Sequence, residues 1–133
     1  MLPDHAPSRS FEADGSHTVT GTSGIVAHAA HAHEPGLFTT APVPAMQKVL
    51  GKAGWDASDV DLFEVNEAFA VVAMIAMREL GIPHDKLNMN GGACALGHPI
   101  GASGARILAT LLSALETTGG KRGVASLCIG GGE

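Results

Sequence analysis

The stretch NMNGGACALGHPIGASGAR, Asn88 to Arg106, decides how the rest of the chain is read. It holds Gly91, Gly92, Gly97, Gly101 and Gly104, one proline, one histidine and one cysteine, with a single charge at its far end. Glycine at this density costs chain entropy unless the backbone needs positive φ or lies close to another group. Directly after Ser103, Ile107, Leu108, Leu111, Leu112 and Leu115 recur at helical spacing. The stretch therefore predicts a tight loop feeding a helix N-terminus, where free N–H groups and the helix dipole favour developing negative charge. His98 stands in that loop, held in direction by Pro99. Phosphate-binding fingerprints do not fit, because there is no Gly-Lys-Ser/Thr ending and no GxGxxG. A serine nucleophile elbow does not fit either, since Ala105 occupies the place of its last glycine.

Working outward, Val60, Leu62, Phe63 and Val65 read as a strand running inward. Asn66 ends that strand and opens a helix over EAFAVVAMIAMREL, closed by Gly81 and Pro83. This helix is apolar nearly all round, which predicts burial. Before it, Val43, Met46, Val49, Leu50 and Ala53 form one face of a helix that starts at Pro42 and stops at Gly54, with Trp55 covering its end. A second short strand is expected over Leu87 to Asn90. The helix after the glycine loop ends at Gly119-Gly120, and a last strand runs from Gly123 to Ile129. Strand, helix, strand, helix, strand is the pattern of an α/β unit with a mostly parallel sheet and flanking helices. Functional loops gather beyond the carboxyl ends of such strands. Asn66, His98 and Cys128 each follow a strand end, so the three are expected at one edge.

Each of the three has a plain structural alternative. Asn66 before a helix can be an N-cap. Cys128 in an apolar strand can be a small buried hydrophobe, and His98 can bond within its own loop. Together they describe chemistry. A thiol beside an imidazole and backbone dipoles can act as nucleophile or acid/base. An amide and an imidazole N–H are donors suited to an enolate or oxyanion. The glycines after Cys128 let backbone N–H groups approach a substrate oxygen.

The remaining chain sets limits. Length predicts one domain, and with 4% aromatic residues and no tyrosine the core must be aliphatic. A net charge of −5 with eight scattered lysines and arginines argues against a nucleic-acid partner. No apolar run is long enough to span a membrane, and the polar start resembles neither a signal peptide nor a transit peptide. Cys94 and Cys128 suggest a reducing, cytoplasmic setting rather than a disulfide framework. Residues 1–16 read as a mobile arm, and 17–133 as the domain. A short strand is expected at His17–Thr20, then a small-residue loop, then an apolar run from Ile25 to Ala30. His28, His31 and His33 have metal-like spacing, but beyond Glu34 nothing completes a ligand set, so a polar loop is expected and no metal.

VNEAFA (65–70), NMNGGACALGHPIGASGARIL (88–108) and SLCIGGG (126–132) resemble the three C-terminal motifs of the thiolase family, the acetyl-CoA acetyltransferases and 3-ketoacyl-CoA thiolases. The resemblance runs with few gaps from Phe38 to Gly132, and EADGSHTVTGTSG (12–24) is similar to the family's loop along the pantetheine arm of coenzyme A. Asn66 in NEAF, followed by a cysteine before a GGG run, favours thiolase over a ketoacyl synthase. The resemblance implies a thiolase-like C-terminal domain and a Claisen condensation of acyl-CoA units, or its reverse, without metal or redox cofactor. It implies that His98 activates the family's nucleophilic cysteine and helps hold a thioester oxygen, and that Asn66 fixes a water completing that oxyanion hole. Cys128 becomes the acid/base for the α-proton, Gly130 lends its N–H to the other oxyanion hole, and Ser23 and Ala68 line the pantetheine path. Three departures stand out. No cysteine precedes Cys94, so the family's nucleophile is absent. The chain joins Gly24 to Ile25 where the family carries a further helix and strand, an expected deletion. The family also continues past the GGG run. The chain is therefore expected to be inactive alone, and to form a homo-oligomer or pair with a thiolase N-terminal half. A non-catalytic module binding coenzyme A or a subunit is the alternative.

Overall fold

The computed structural model describes residues 8–11, 17–20 and 23–129. Of the stretch 1–16, read as an arm, Ser8–Phe11 (β1) is described, pairing antiparallel with His17–Thr20 (β2), Ser8 opposite Thr20. The rest of that stretch lies outside the described residues, as do Gly130 and the end of the GGG run.

The organising strand is β3, Leu62–Val65, buried along its whole length. It pairs in parallel with β4, Gly123–Ser126, Leu62 opposite Gly123 and Val65 opposite Ser126. Side chains alternate across a strand, and β3 uses both faces. Phe63 and Val65 enter one core with Met46, Leu50, Val72, Ala73, Ala76 and Val124, beneath α1 (Pro42–Ala53) and α2 (Ala70–Leu80). Leu62 packs on the other face against Leu111, Ala114 and Leu115 of α4, Ser103–Thr118. Gly123 marks how closely α4 lies on β4, for a Cβ there would stand 2.9 Å from the Leu111 and Leu115 side chains. Helices α1, α2 and α4 close at Gly54, Gly81 and Gly119, each left-handed. Trp55 covers the end of α1 through a bond from its N–H to Leu50 O. The result is the mixed, incomplete α/β architecture expected.

Several local expectations need correction. Helix α2 starts at Ala70 with Phe69 as its N-cap, so Asn66 neither caps nor opens it. Three residues, 67–69, intervene: the Asn66 N–H is bound to Ser126 O, and the Glu67 carboxylate accepts the Cys94 N–H. Nor is α2 buried all round: Val72, Ala73 and Ala76 are, while Val71 and Met74 are exposed. In α4, likewise, Ile107, Leu111 and Leu115 are buried but Leu108 and Leu112 are exposed. The strand expected over Leu87 to Asn90 shrinks to one parallel bridge, Phe63 to Leu87. Asn88 has φ of 49° and Gly91 of 87°, which turns the chain away from the sheet at once. The last strand ends at Ser126 rather than Ile129.

Candidate active site

Asn66 follows β3 directly and Cys128 follows β4 after Leu127, which brings both to the carboxyl edge of the pair. Asn66 is 3% exposed, and its N–H bonds Ser126 O at 2.9 Å, tying the two strand ends together. His98 reaches the same point from the glycine loop, after the single turn α3, Ala93–Leu96. Asn66 Nδ2 lies 3.3 Å from His98 Nε2 and 3.5 Å from Cys128 Sγ, and Sγ lies 3.6 Å from His98 Nε2. Three residues separated by 30 or more positions thus close a triangle of side-chain polar atoms.

Ser103, fully buried, is the residue that sequence reasoning missed. Its Oγ donates to Pro99 O at 3.1 Å and stands 2.6 Å from His98 Nδ1. With the Ser103 proton on that carbonyl, the hydroxyl is left to accept from the ring, in the tautomer that carries its proton on Nδ1. The Nε2 side of a neutral ring then offers its lone pair toward Cys128 Sγ, the orientation a base needs to take a thiol proton. A serine in a glycine-rich turn is easily read as local punctuation, and only its burial reveals the role. Asn66 Oδ1, also buried, has no hydrogen-bond partner among the described residues.

Of the other expected positions, Ala68 is half-buried two residues beyond Asn66, and Ser23 is exposed and shares no hydrogen bond with the triangle. Cys94 is exposed, and a hydrogen bond to Glu67, with some burial and the carboxylate's charge, pushes its thiol pKa up. The histidines form a loop contact: Lys48 Nζ donates to His31 Nδ1 at 3.0 Å, His31 Nε2 meets His33 Nδ1 at 3.3 Å, and His33 Nε2 donates to Leu37 O at 2.8 Å. Among the described residues no group of three His, Cys, Asp or Glu is placed to hold a metal ion, and no helix is long and apolar enough to cross a membrane.

The unit thus brings a thiol, an imidazole and an amide together at the carboxyl edge of its parallel strands. Residues 19–133 match the family model described as thiolase, C-terminal domain. The chain belongs to the thiolase family. It is 59% identical over 99 residues to the cytosolic acetyl-CoA acetyltransferase of Mus musculus, covering 74% of this chain and 25% of the mouse protein. To the acetyl-CoA acetyltransferase of Allochromatium vinosum it is 51% identical over 109 residues, 82% of this chain and 28% of that one. The crystal structure of the Bacillus anthracis acetyl-CoA acetyltransferase superposes with a TM-score of 0.77 at 42% identity, covering 80% of this chain and 27% of that one. The chain thus spans only about a quarter of the length of these relatives.

Proposed function

We propose that this chain is the acid/base and oxyanion-binding part of a thiolase-type acyl-CoA C-acyltransferase, acting in Claisen condensation or thiolysis of acyl-CoA. The observation that carries the proposal is the triangle of Asn66, His98 and Cys128. Cys128 takes the α-proton of an acetyl thioester, or returns it in thiolysis, with His98 Nε2 beside its sulfur. The charge that develops on the thioester oxygen needs donors in place before reaction. His98 supplies one through Nε2–H once that nitrogen has taken the Cys128 thiol proton, and a water held by Asn66 supplies the other. Asn66 Oδ1, buried and unpaired among the described residues, is the acceptor such a water requires. Gly130, outside the described residues, supplies the N–H of the second oxyanion hole, and Ser23 and Ala68 line the pantetheine path. No metal or redox cofactor enters this chemistry. The domain spans 17–133, and its partners are acyl-CoA substrates and a second copy or a thiolase N-terminal half, in the cytoplasm.

Covalent acyl transfer also needs a nucleophilic thiol, and the two cysteines here are otherwise placed: Cys94 is exposed with a raised pKa, and Cys128 holds the acid/base position. The chain taken by itself therefore has no first step for acyl transfer. Iodoacetamide labelling with peptide mapping, run beside a coenzyme A release assay on acetoacetyl-CoA, tests both parts. Cys128 labels faster than Cys94, His98→Ala removes the difference, and release stays undetectable. Equal labelling of the two cysteines would sink the acid/base assignment, leaving a coenzyme A-binding or subunit-pairing module. Turnover that survives Cys128→Ser would show that another residue carries the chemistry.

A further inference from the structure

Asn88 is buried, yet it lies outside the triangle. Its side-chain amide acts as a strand residue beside β3. Oδ1 accepts the Val65 N–H at 2.8 Å, and Nδ2 donates to Val65 O at 2.9 Å. The same Nδ2 donates to Glu67 Oε1 at 3.1 Å, and the other Glu67 oxygen accepts the Cys94 N–H at 2.9 Å. Gly92 leaves room for this: a Cβ there would collide with the Glu67 carboxyl group. Three consecutive residues are thus pinned to three segments, Val65 to Asn88, Asn66 to β4 through Ser126, and Glu67 to α3. Gly97 closes α3 with a bond to Ala93 O at 2.8 Å, and His98 comes next.

We propose that Glu67 and Asn88 form a clamp that sets the position of Asn66 against His98, making them positioning residues of the site. The placement of the clamp rests on these contacts alone, and its consequence for Cys128 rests on the acyl-transfer reading above. A carboxylate that receives one backbone and one side-chain N–H holds two loops with one group, and such bonds are the stronger kind. Burial by itself raises the Glu67 carboxyl, but the bonds from Cys94 and Asn88, with Arg106 nearby, outweigh it and keep it below its ordinary range. Glu67 is therefore charged at neutral pH.

Two variants of the whole chain test the clamp. Glu67→Gln keeps the shape but has one acceptor for two donors, so one loop is released. Asn88→Gly keeps the positive φ and removes the bridging amide. Amide hydrogen exchange by mass spectrometry follows 64–69 and 93–102, with α1 at 42–53 reporting that the fold is intact. At least one of the two loops in Glu67→Gln, and 64–69 in Asn88→Gly, should exchange about tenfold faster, the factor that one lost charge-assisted bond corresponds to, while α1 stays protected. Unchanged exchange of both loops in Glu67→Gln, or of 64–69 in Asn88→Gly, overturns the proposal. Cys128 alkylation is the second readout, taken in wild type, Glu67→Gln, His98→Ala and the double variant. A positioning residue acts through His98, so Glu67→Gln slows Cys128 about tenfold in wild type and not in the His98→Ala background. Equal slowing in both backgrounds overturns the positioning role. If His98→Ala alone leaves Cys128 unaffected, the acid/base reading fails instead, and loop exchange decides the clamp.

Discussion

His98 Nδ1 lies 2.6 Å from Ser103 Oγ, a hydroxyl that is itself bound to Pro99 O and shut off from solvent. Ser103 is the first residue of α4, so the ring that faces Cys128 is held from behind by the helix that packs on β3. Ser103→Ala should cost about 1–3 kcal/mol, the range for leaving a buried donor unpaired. It also frees the ring to turn. The Cys128 to Cys94 alkylation ratio should fall severalfold, with Cys94 as internal reference. A ratio equal to wild type, with the expected loss of thermal stability, would show that Ser103 packs but does not orient.

Glu64 faces the α4 side of β3 and is 2% exposed. Burial pushes its carboxyl from 4.5 up to about 7, against the pull of Arg106 and with a further push from Glu67. The folded chain therefore holds this proton more tightly than the unfolded chain. Stability falls as pH rises from about 4.5 to 7, and the loss is complete above that window. Glu64→Gln should match wild type near pH 4.5 and be more stable at pH 8, by at most ~3 kcal/mol at 1.36 kcal/mol per unit. Denaturant midpoints at the two pH values check this, and parallel pH profiles for both proteins would refute it.

The contact through His31 carries the opposite sign. Some burial, then the charges of Lys48 and His33, lower its pKa from 6.5. The folded chain holds this proton less tightly, so the contact is present above the ordinary histidine value and weakens as pH falls through it. Amides over 28–34 should lose protection between pH 7.5 and 5.5, after correction for intrinsic exchange, and Lys48→Leu should shrink that change. Protection independent of pH would show that the segment is held by other contacts.

Ile100 is 86% exposed and Met74 61%, with Phe69, Leu108 and Leu112 also open. Apolar side chains are thus left open on both sides of the β3–β4 pair, surface that a partner would cover. The chain should self-associate in light scattering at tens of micromolar protein, roughly the range of weak specific interfaces. Met74→Glu with Leu112→Glu should raise the monomer fraction without lowering the thermal midpoint. A monodisperse wild-type monomer at high concentration would count against it.

Local chemistry in the sequence determined the pieces. Apolar spacing and a following glycine were enough for α1 and α4, and an apolar run for β3, because each needs only neighbours within a few residues. The same adjacency placed Asn66 and Cys128 after strand ends, whereas the strand expected ahead of His98 does not form. Tertiary structure alone decided how those ends are held. The bonds of Asn88 to Val65, of Glu67 to Cys94 and of Asp61 to the N–H groups of Lys121 and Arg122 join residues 23 to 61 positions apart. No periodicity records such pairings. They also explain the misplaced boundaries: Glu67 is committed to α3, so α2 waits until Ala70, and Asn88 turns at positive φ, so no strand forms there. A helix or strand is chosen by its own residues; a site is chosen by which buried donor meets which buried acceptor once the chain has closed.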